Sequence, residues 1–179
     1  MKVMALISVL LFLVGCSSVS VDQYKNEKPV LSLEDYLNGD LDAYGFFQDR
    51  SGLIVKRFKV KMKATWVNGV GTLDEDFVYS DGSTSKRIWT LKKTGPGKYI
   101  GTAGDVIGTA EGEVAGNAFR WKYTLDLPVD GKNYHVQFDD WMYLMDDGVM
   151  LNKSKMSKFG IYLGEVTLTF VKPAKATGK

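Results

Sequence analysis

The sequence predicts an all-β protein: a roughly ten-stranded antiparallel up-and-down barrel with one short N-terminal helix. Three observations lead there. Turn dipeptides recur about every ten residues from Ser51-Gly52 to Phe159-Gly160, with alternating apolar and polar segments between them. Hairpins built on those turns put apolar side chains on one face and charged ones on the other. A meander this long also has to curl and close, because an open one leaves two unpaired edges.

The chain opens on Lys2 and an apolar run from Val3 to Val14, broken only by Ser8 and ending in Leu13-Val14-Gly15-Cys16. The run is shorter than the ~20 residues of a bilayer span. With a basic residue before it and small residues and a cysteine after it, it reads as a bacterial lipoprotein signal. Residues 1–15 are therefore expected to be removed and Cys16 to carry lipid as the new N-terminus. The membrane is one expected partner, because two or three acyl chains anchor stably where one does not. Ser17 stands where an aspartate would favour the inner membrane. The expected location is a Gram-negative outer membrane, with the body facing the periplasm. Cys16 is the only cysteine, so its lipidation leaves no thiol for a disulfide. Residues 16–32 read as lipidated cysteine and flexible polar tether, 33–172 as the barrel and 173–179 as a tail. With 23 basic and 21 acidic residues, no charge excess draws the chain to nucleic acid.

The body begins with the helix. Ser32 is a good N-cap, Glu34 and Asp35 suit the first turn, Leu33, Tyr36 and Leu37 supply apolar contacts, and Asn38-Gly39 stops it. In the clearest strand Phe58, Val60, Met62, Ala64 and Trp66 alternate with Arg57, Lys59, Lys61 and Lys63. A hairpin at Asp81-Gly82 puts Leu73, Glu75, Phe77 and Tyr79 on one face with Arg87, Trp89 and Leu91. A two-residue turn at Gly116-Asn117 pairs Val114 with Phe119, Gly112 with Trp121, Ala110 with Tyr123 and Gly108 with Leu125. Its other face pairs Glu113 with Arg120 and Glu111 with Lys122. Charges then meet in water, while small residues face aromatics inside. The turn at Asp130-Gly131 carries the inward face on through Val136, Phe138, Asp140, Met142 and Leu144. Two turns are compatible with Met145 to Val149. A three-residue turn with Gly148 left-handed is favoured, because it points Met150, Asn152, Ser154 and Met156 inward rather than Lys153 and Lys155. The last strand points Tyr162, Val166, Leu168 and Phe170 inward.

The interior is thus apolar and aromatic, with Glu75, Arg87 and Asp140 as ionisable exceptions. Buried charges need partners, and this register sets Glu75 diagonal to Arg87 and close enough to pair. One reading is a ligand site, in which Arg87, with Tyr79 or Tyr123, holds the acidic end of an apolar ligand. Phe58, Phe77, Trp89, Trp121, Tyr123 and Phe138 would then line the chain-binding part, with Arg87 and Glu75 as its polar end, and Asp140 and Asn152 would add polar contacts. The other reading is a structural ion pair and a structural hydrogen-bond cluster. Catalysis finds little support. His135, the only histidine, faces solvent beside Asp126. Asp139-Asp140 point to opposite faces, and Asp146-Asp147 belong to a turn. No catalytic set, metal site or cofactor is expected.

Several runs carry a resemblance: Asp49-Arg50-x-Gly52, Glu75-x-Phe77-x-Tyr79-x-Asp81-Gly82, Arg87-x-Trp89, Tyr99-x-Gly101-x-Ala103-x-Asp105-Val106, Gly116-Asn117-Ala118-x-x-Trp121-x-Tyr123, Asp139 to Leu144, and Met156-x-Lys158-Phe159-Gly160. Together they resemble domain-of-unknown-function family 3833, lipoproteins of Gram-negative bacteria, from about Leu33 to Phe170. The resemblance implies a lipoprotein and supplies no activity, ligand or catalytic residue. More distantly the chain resembles the calycin barrels, the lipocalins and fatty-acid-binding proteins. The expected function is binding of a fatty acyl or other apolar ligand, such as a fatty acid or phospholipid. The alternative is a structural or interaction module of the envelope, with outward Trp141 and Tyr143 as its partner surface.

Overall fold

A strand that alternates apolar and polar residues has one face to hide, and several such strands hide it together by rolling into a tube. The computed structural model, which describes residues 18–129 and 131–173, has this form. Its strands are β1 (Gly39–Asp49), β2 (Ile54–Val67), β3 (Val70–Tyr79), β4 (Thr84–Gly95), β5 (Lys98–Thr102), β6 (Val106–Ala115), β7 (Ala118–Val129), β8 (Lys132–Leu144), β9 (Val149–Lys158) and β10 (Ile161–Val171). Each pairs antiparallel with its neighbours in sequence. β1 closes on β10 from Asp42↔Val171 to Asp49↔Gly164, so the sheet has no free edge.

The registers agree with expectation in most places and depart where an extra residue enters a turn or strand. At the tip of the β6–β7 hairpin Val114 faces Phe119, Gly112 faces Trp121 and Glu113 faces Arg120. Farther along, a bulge between Ile107 and Glu111 puts Val106, not Gly108, opposite Leu125. The β3–β4 hairpin closes around the three-residue turn Ser80-Asp81-Gly82, with the Tyr79 N–H donating to the Ser83 carbonyl at 2.9 Å. Asp81 sets that length by accepting from the Ser83 N–H at 2.9 Å. Glu75 therefore sits directly across from Arg87 rather than diagonal to it. The β8–β9 loop is the three-residue form, with Leu144 facing Met150 and Asp140 facing Ser154. Asp146 Oδ1 accepts from the Gly148 and Val149 N–H groups at 2.8 and 2.7 Å. Held this way, Gly148 does not adopt the expected left-handed conformation. In β10 a bulge between Tyr162 and Gly164 turns Leu163 inward and leaves Tyr162 at the surface.

The helix, α1 (Leu33–Tyr36), lies where the sequence places it and closes one end of the tube. Four residues do not make a stable helix alone, and the Ser32 side chain makes no capping hydrogen bond. The surroundings hold it. Leu33, Tyr36 and Leu37 are buried in the main core. The Tyr36 hydroxyl donates to the Phe170 carbonyl at 3.2 Å, and Trp66 Nε1–H donates to the Leu37 carbonyl at 2.6 Å. Glu34 accepts from the Tyr99 hydroxyl at 2.7 Å and from Lys93 Nζ at 2.6 Å.

The segment before α1, expected as a free tether, is docked from Val21 on. Val21–Tyr24 forms a 3-10 turn against β6 and β7, and the Leu31 N–H donates to the Gly116 carbonyl at 2.8 Å. The Tyr24 ring packs on Trp141 and Tyr143 at 5.8 and 5.3 Å, which covers the patch read as a partner surface. Cys16, the segment before it and residues 174–179 of the tail lie outside the described residues.

Small residues on β5 and β6 make room for β7's aromatics. A Cβ at Gly101 would come within 2.8 Å of the Trp121 ring, and one at Gly112 would overlap both Trp121 and Phe119. Gly112→Ala is expected to cost about 1–3 kcal/mol in urea unfolding. Gly104→Ala, whose new Cβ meets open space, should change stability by less than about 0.5 kcal/mol.

Candidate functional site

The inward side chains do not meet across the axis. They leave a cavity of about 650 Å³, inside the ~300–1,000 Å³ range of small-ligand sites. Its floor, over α1, is Leu37, Met62, Leu91, Phe119 and Phe170. Its mouth lies at the other end, where Lys56, Tyr79, Tyr134 and Lys158 line it. Strand direction explains the layering. Along β7 the inward positions run from Phe119 at the floor through Trp121 and Tyr123 to Leu127, and along β3 from Leu73 through Glu75 to Tyr79.

Each residue singled out for ligand contact lines this cavity: Glu75, Tyr79, Arg87, Trp89, Trp121, Tyr123, Phe138, Asp140 and Asn152. The aromatics form one continuous wall. Trp89 meets Trp121 edge-on at 5.6 Å and Tyr123 at 5.3 Å, and Tyr123 stacks on Phe138 at 5.0 Å. Trp121 in that wall lies against Gly101 of β5 and Gly112 of β6.

The polar residues form a girdle halfway along, and their pairing differs from expectation. Arg87 does not pair with Glu75. Its guanidinium grips Asp105, with Nε 2.9 Å from Oδ2 and 3.1 Å from Oδ1, and Nη2 2.7 Å from Oδ2. Asp105 sits in the β5–β6 turn at the rim, and the Asp126 N–H bonds its carbonyl at 2.8 Å. Sequence reasoning missed it as a site residue, because Asp105 lies beyond the end of β5 and meets Arg87 only where the β4–β5 register, shifted by a bulge between Lys93 and Gly95, is carried past Thr90↔Thr102. Glu75 is left buried without an ion pair among the described residues. Tyr79 is not with Arg87 either; its hydroxyl is 2.9 Å from Ser85 Oγ near the mouth. Asp140 is held by Ser154 Oγ and, at 3.4 Å, by the Tyr123 hydroxyl. Asn152 Nδ2 donates to the Trp141 carbonyl at 3.4 Å.

Burial is the main force on both carboxyls. It pushes Glu75 up to about 7, with Arg87 pulling down and Asp105 and Asp140 pushing up. It pushes Asp140 up to about 7 against the hydrogen bonds from Ser154 and Tyr123. Near neutral pH the girdle therefore offers carboxyl protons as hydrogen-bond donors, and the adjacent guanidinium is already neutralised.

The family described as "Protein of unknown function (DUF3833)" matches residues 10–172. The chain belongs to that family. Among solved structures, the S-type phycobiliprotein lyase CPES from Guillardia theta is similar at 8% identity and TM-score 0.59, covering 79% of this chain and 90% of the lyase. A de novo designed fluorescence-activating β-barrel aligns at 11% identity and TM-score 0.43, covering 80% of this chain and 99% of the design. No curated protein matches the chain. The likeness to the lyase establishes the calycin-like barrel and says nothing of activity.

A carboxyl whose pKa rises on folding holds a proton that the unfolded chain gives up. Stability then falls as pH rises from the ordinary carboxyl value to the folded one. For Glu75 that window runs from 4.5 to about 7. Glu75→Gln keeps the volume and removes the titration. In chemical denaturation the variant should match the wild type near pH 4 and exceed its stability at pH 8 by on the order of 3 kcal/mol. An offset that stays constant with pH would contradict the assignment.

Proposed function

We propose that this chain is an outer-membrane lipoprotein, anchored through Cys16 and facing the periplasm, whose barrel holds a fatty acyl chain or another elongated apolar ligand. The ligand reading is carried by the lumen: a cavity of about 650 Å³ with an aromatic wall, an apolar floor and one mouth. The anchor reading is carried by the Leu13-Val14-Gly15-Cys16 run behind its apolar segment. A hydrophobic ligand in such a site gains from leaving water, and its length is accommodated along the strands.

The girdle narrows the ligand's chemistry. A free carboxylate at mid-lumen would have to displace Asp105 from Arg87 and lie beside Glu75 and Asp140. An uncharged acyl derivative, whether an ester or a protonated acid, instead accepts a hydrogen bond from a protonated carboxyl there. A phospholipid's ionised group would stay at the mouth beside Lys56 and Lys158.

Displacement of a fluorescent fatty-acid analogue tests this. A long-chain monoacylglycerol should displace it less well at pH 8 than at pH 6, as Glu75 and Asp140 give up the protons they would donate, and a free fatty acid, itself ionised, should lose more over the same range. Val166→Trp, which adds bulk to the cavity wall, should weaken both by about tenfold or more, about 1.4 kcal/mol. No displacement by either lipid at any pH would sink the reading.

A further inference from the structure

The turns at the mouth are not alike. Those of β3–β4 and β5–β6 are polar or small, Ser80-Asp81-Gly82-Ser83 and Gly104-Asp105. The turns of β1–β2 and β9–β10 hold large apolar side chains out in solvent. Leu53 is 64% exposed, Ile161 61% and Phe159 88%. Because β1 pairs with β10, these two turns stand side by side. Tyr134 of β8 continues the arc, with Lys158 Nζ lying 4.3 Å above its ring.

Phe159 is unfavourable in two independent ways. Its ring gains no burial, and its backbone occupies the left-handed region, with φ 52°, where a bulky residue is strained. The two-residue turn it shares with Gly160 favours Asn-Gly, and the chain uses Asn68-Gly69 in the same way between β2 and β3. Nothing in the packing of the barrel requires phenylalanine there.

Charge adds a second observation. Lys158 and Arg50 flank the arc, and neither makes an ion pair among the described residues. The nearby acids among the described residues are engaged. Asp49 Oδ1 accepts from the Ser51 and Leu53 N–H groups at 2.8 and 3.1 Å, Asp81 holds Lys56 at 3.1 Å, and Asp105 holds Arg87. Apolar tips flanked by unpaired cations match an anionic lipid interface: the tips enter the acyl boundary while the cations meet head groups.

The geometry points to this arc as a docking surface for a bilayer rich in anionic lipid. Tyr134 and Lys158 also line the cavity, so a docked barrel opens its lumen onto the lipid instead of onto water. The inference concerns the rim and holds whether or not the lumen takes a ligand.

The test uses the chain from residue 16 on, without the apolar leader, and with Cys16→Ser, which removes the only native thiol. A polarity-sensitive dye is placed at Ile161→Cys on the arc or at Val67→Cys at the closed end. Vesicles containing phosphatidylglycerol should blue-shift and brighten the dye at 161, and pure phosphatidylcholine vesicles should do so weakly. High salt should reverse the change, and the dye at 67 should not respond. Lys158→Glu should weaken the response about thirtyfold in lipid concentration, from reversal of one charge near the surface. Phe159→Asn should abolish much of the response while leaving thermal stability unchanged or higher, an outcome that a structural role for the ring does not give. The proposal is overturned if both dye positions respond alike, if the response ignores lipid charge, or if the dye at 161 shifts with protein concentration in the absence of vesicles. That last result would mean a second copy of the chain covers the arc.

Discussion

The hollow in this barrel depends on a steric exchange between β7 and its neighbours. Trp121 is too large to share a wall with ordinary side chains, and Gly101 and Gly112 give it a recess to lie in. Trp89 and Tyr123 follow it to the same side through edge-on contacts. Side chains on β5 and β6 would push these rings toward the axis, and the space they vacate is the space a ligand would need. The floor is fixed separately, by a helix too short to persist unless Trp66, Tyr36 and Tyr99 tie it down.

Polarity inside the lumen turns on a residue at its rim. Were Asp105 absent, Arg87 would be the natural partner for Glu75 directly across the β3–β4 ladder. With Asp105 in place the guanidinium is satisfied and Glu75 remains a buried acid with a displaced titration. Asp140 has the same displacement but keeps two hydroxyl donors. An otherwise apolar tube thus acquires a narrow band of proton donors at mid-height, a feature that discriminates among lipids by charge rather than by length.

Much of this was legible in the sequence, and the misses have physical causes. Alternation in β2 and the paired charges of Glu113–Arg120 and Glu111–Lys122 fixed which faces point inward, and barrel closure followed from the number of strands. Turn length was less legible, since an Asp-Gly pair serves two-residue and longer turns, and Asp81's side chain decides between them. The bulges in β6 and β10 each hold a glycine with positive φ, Gly108 and Gly164, but a strand glycine marks a bulge or room for a facing ring alike, so the sequence misplaces Gly108 and Tyr162. Asp105 is not legible as a site residue because the bulge between Lys93 and Gly95 sets the β4–β5 register that brings it opposite Arg87. The docked N-terminal segment is hidden because its grip comes from scattered residues, Val21, Tyr24 and Leu31, within a polar stretch. Whether inward aromatics meet or lean apart depends on their packing against particular glycines, which alternation does not encode.

Native mass spectrometry of the protein, purified from its own cells in mild detergent, addresses the central claim most directly. A lumen that carries an acyl ligand gives a discrete added mass that dissociates as an intact, uncharged or zwitterionic lipid species and returns when that lipid is added back. A single unliganded mass, unchanged by added lipid under conditions that keep the barrel folded, would show that the hollow is a feature of packing alone.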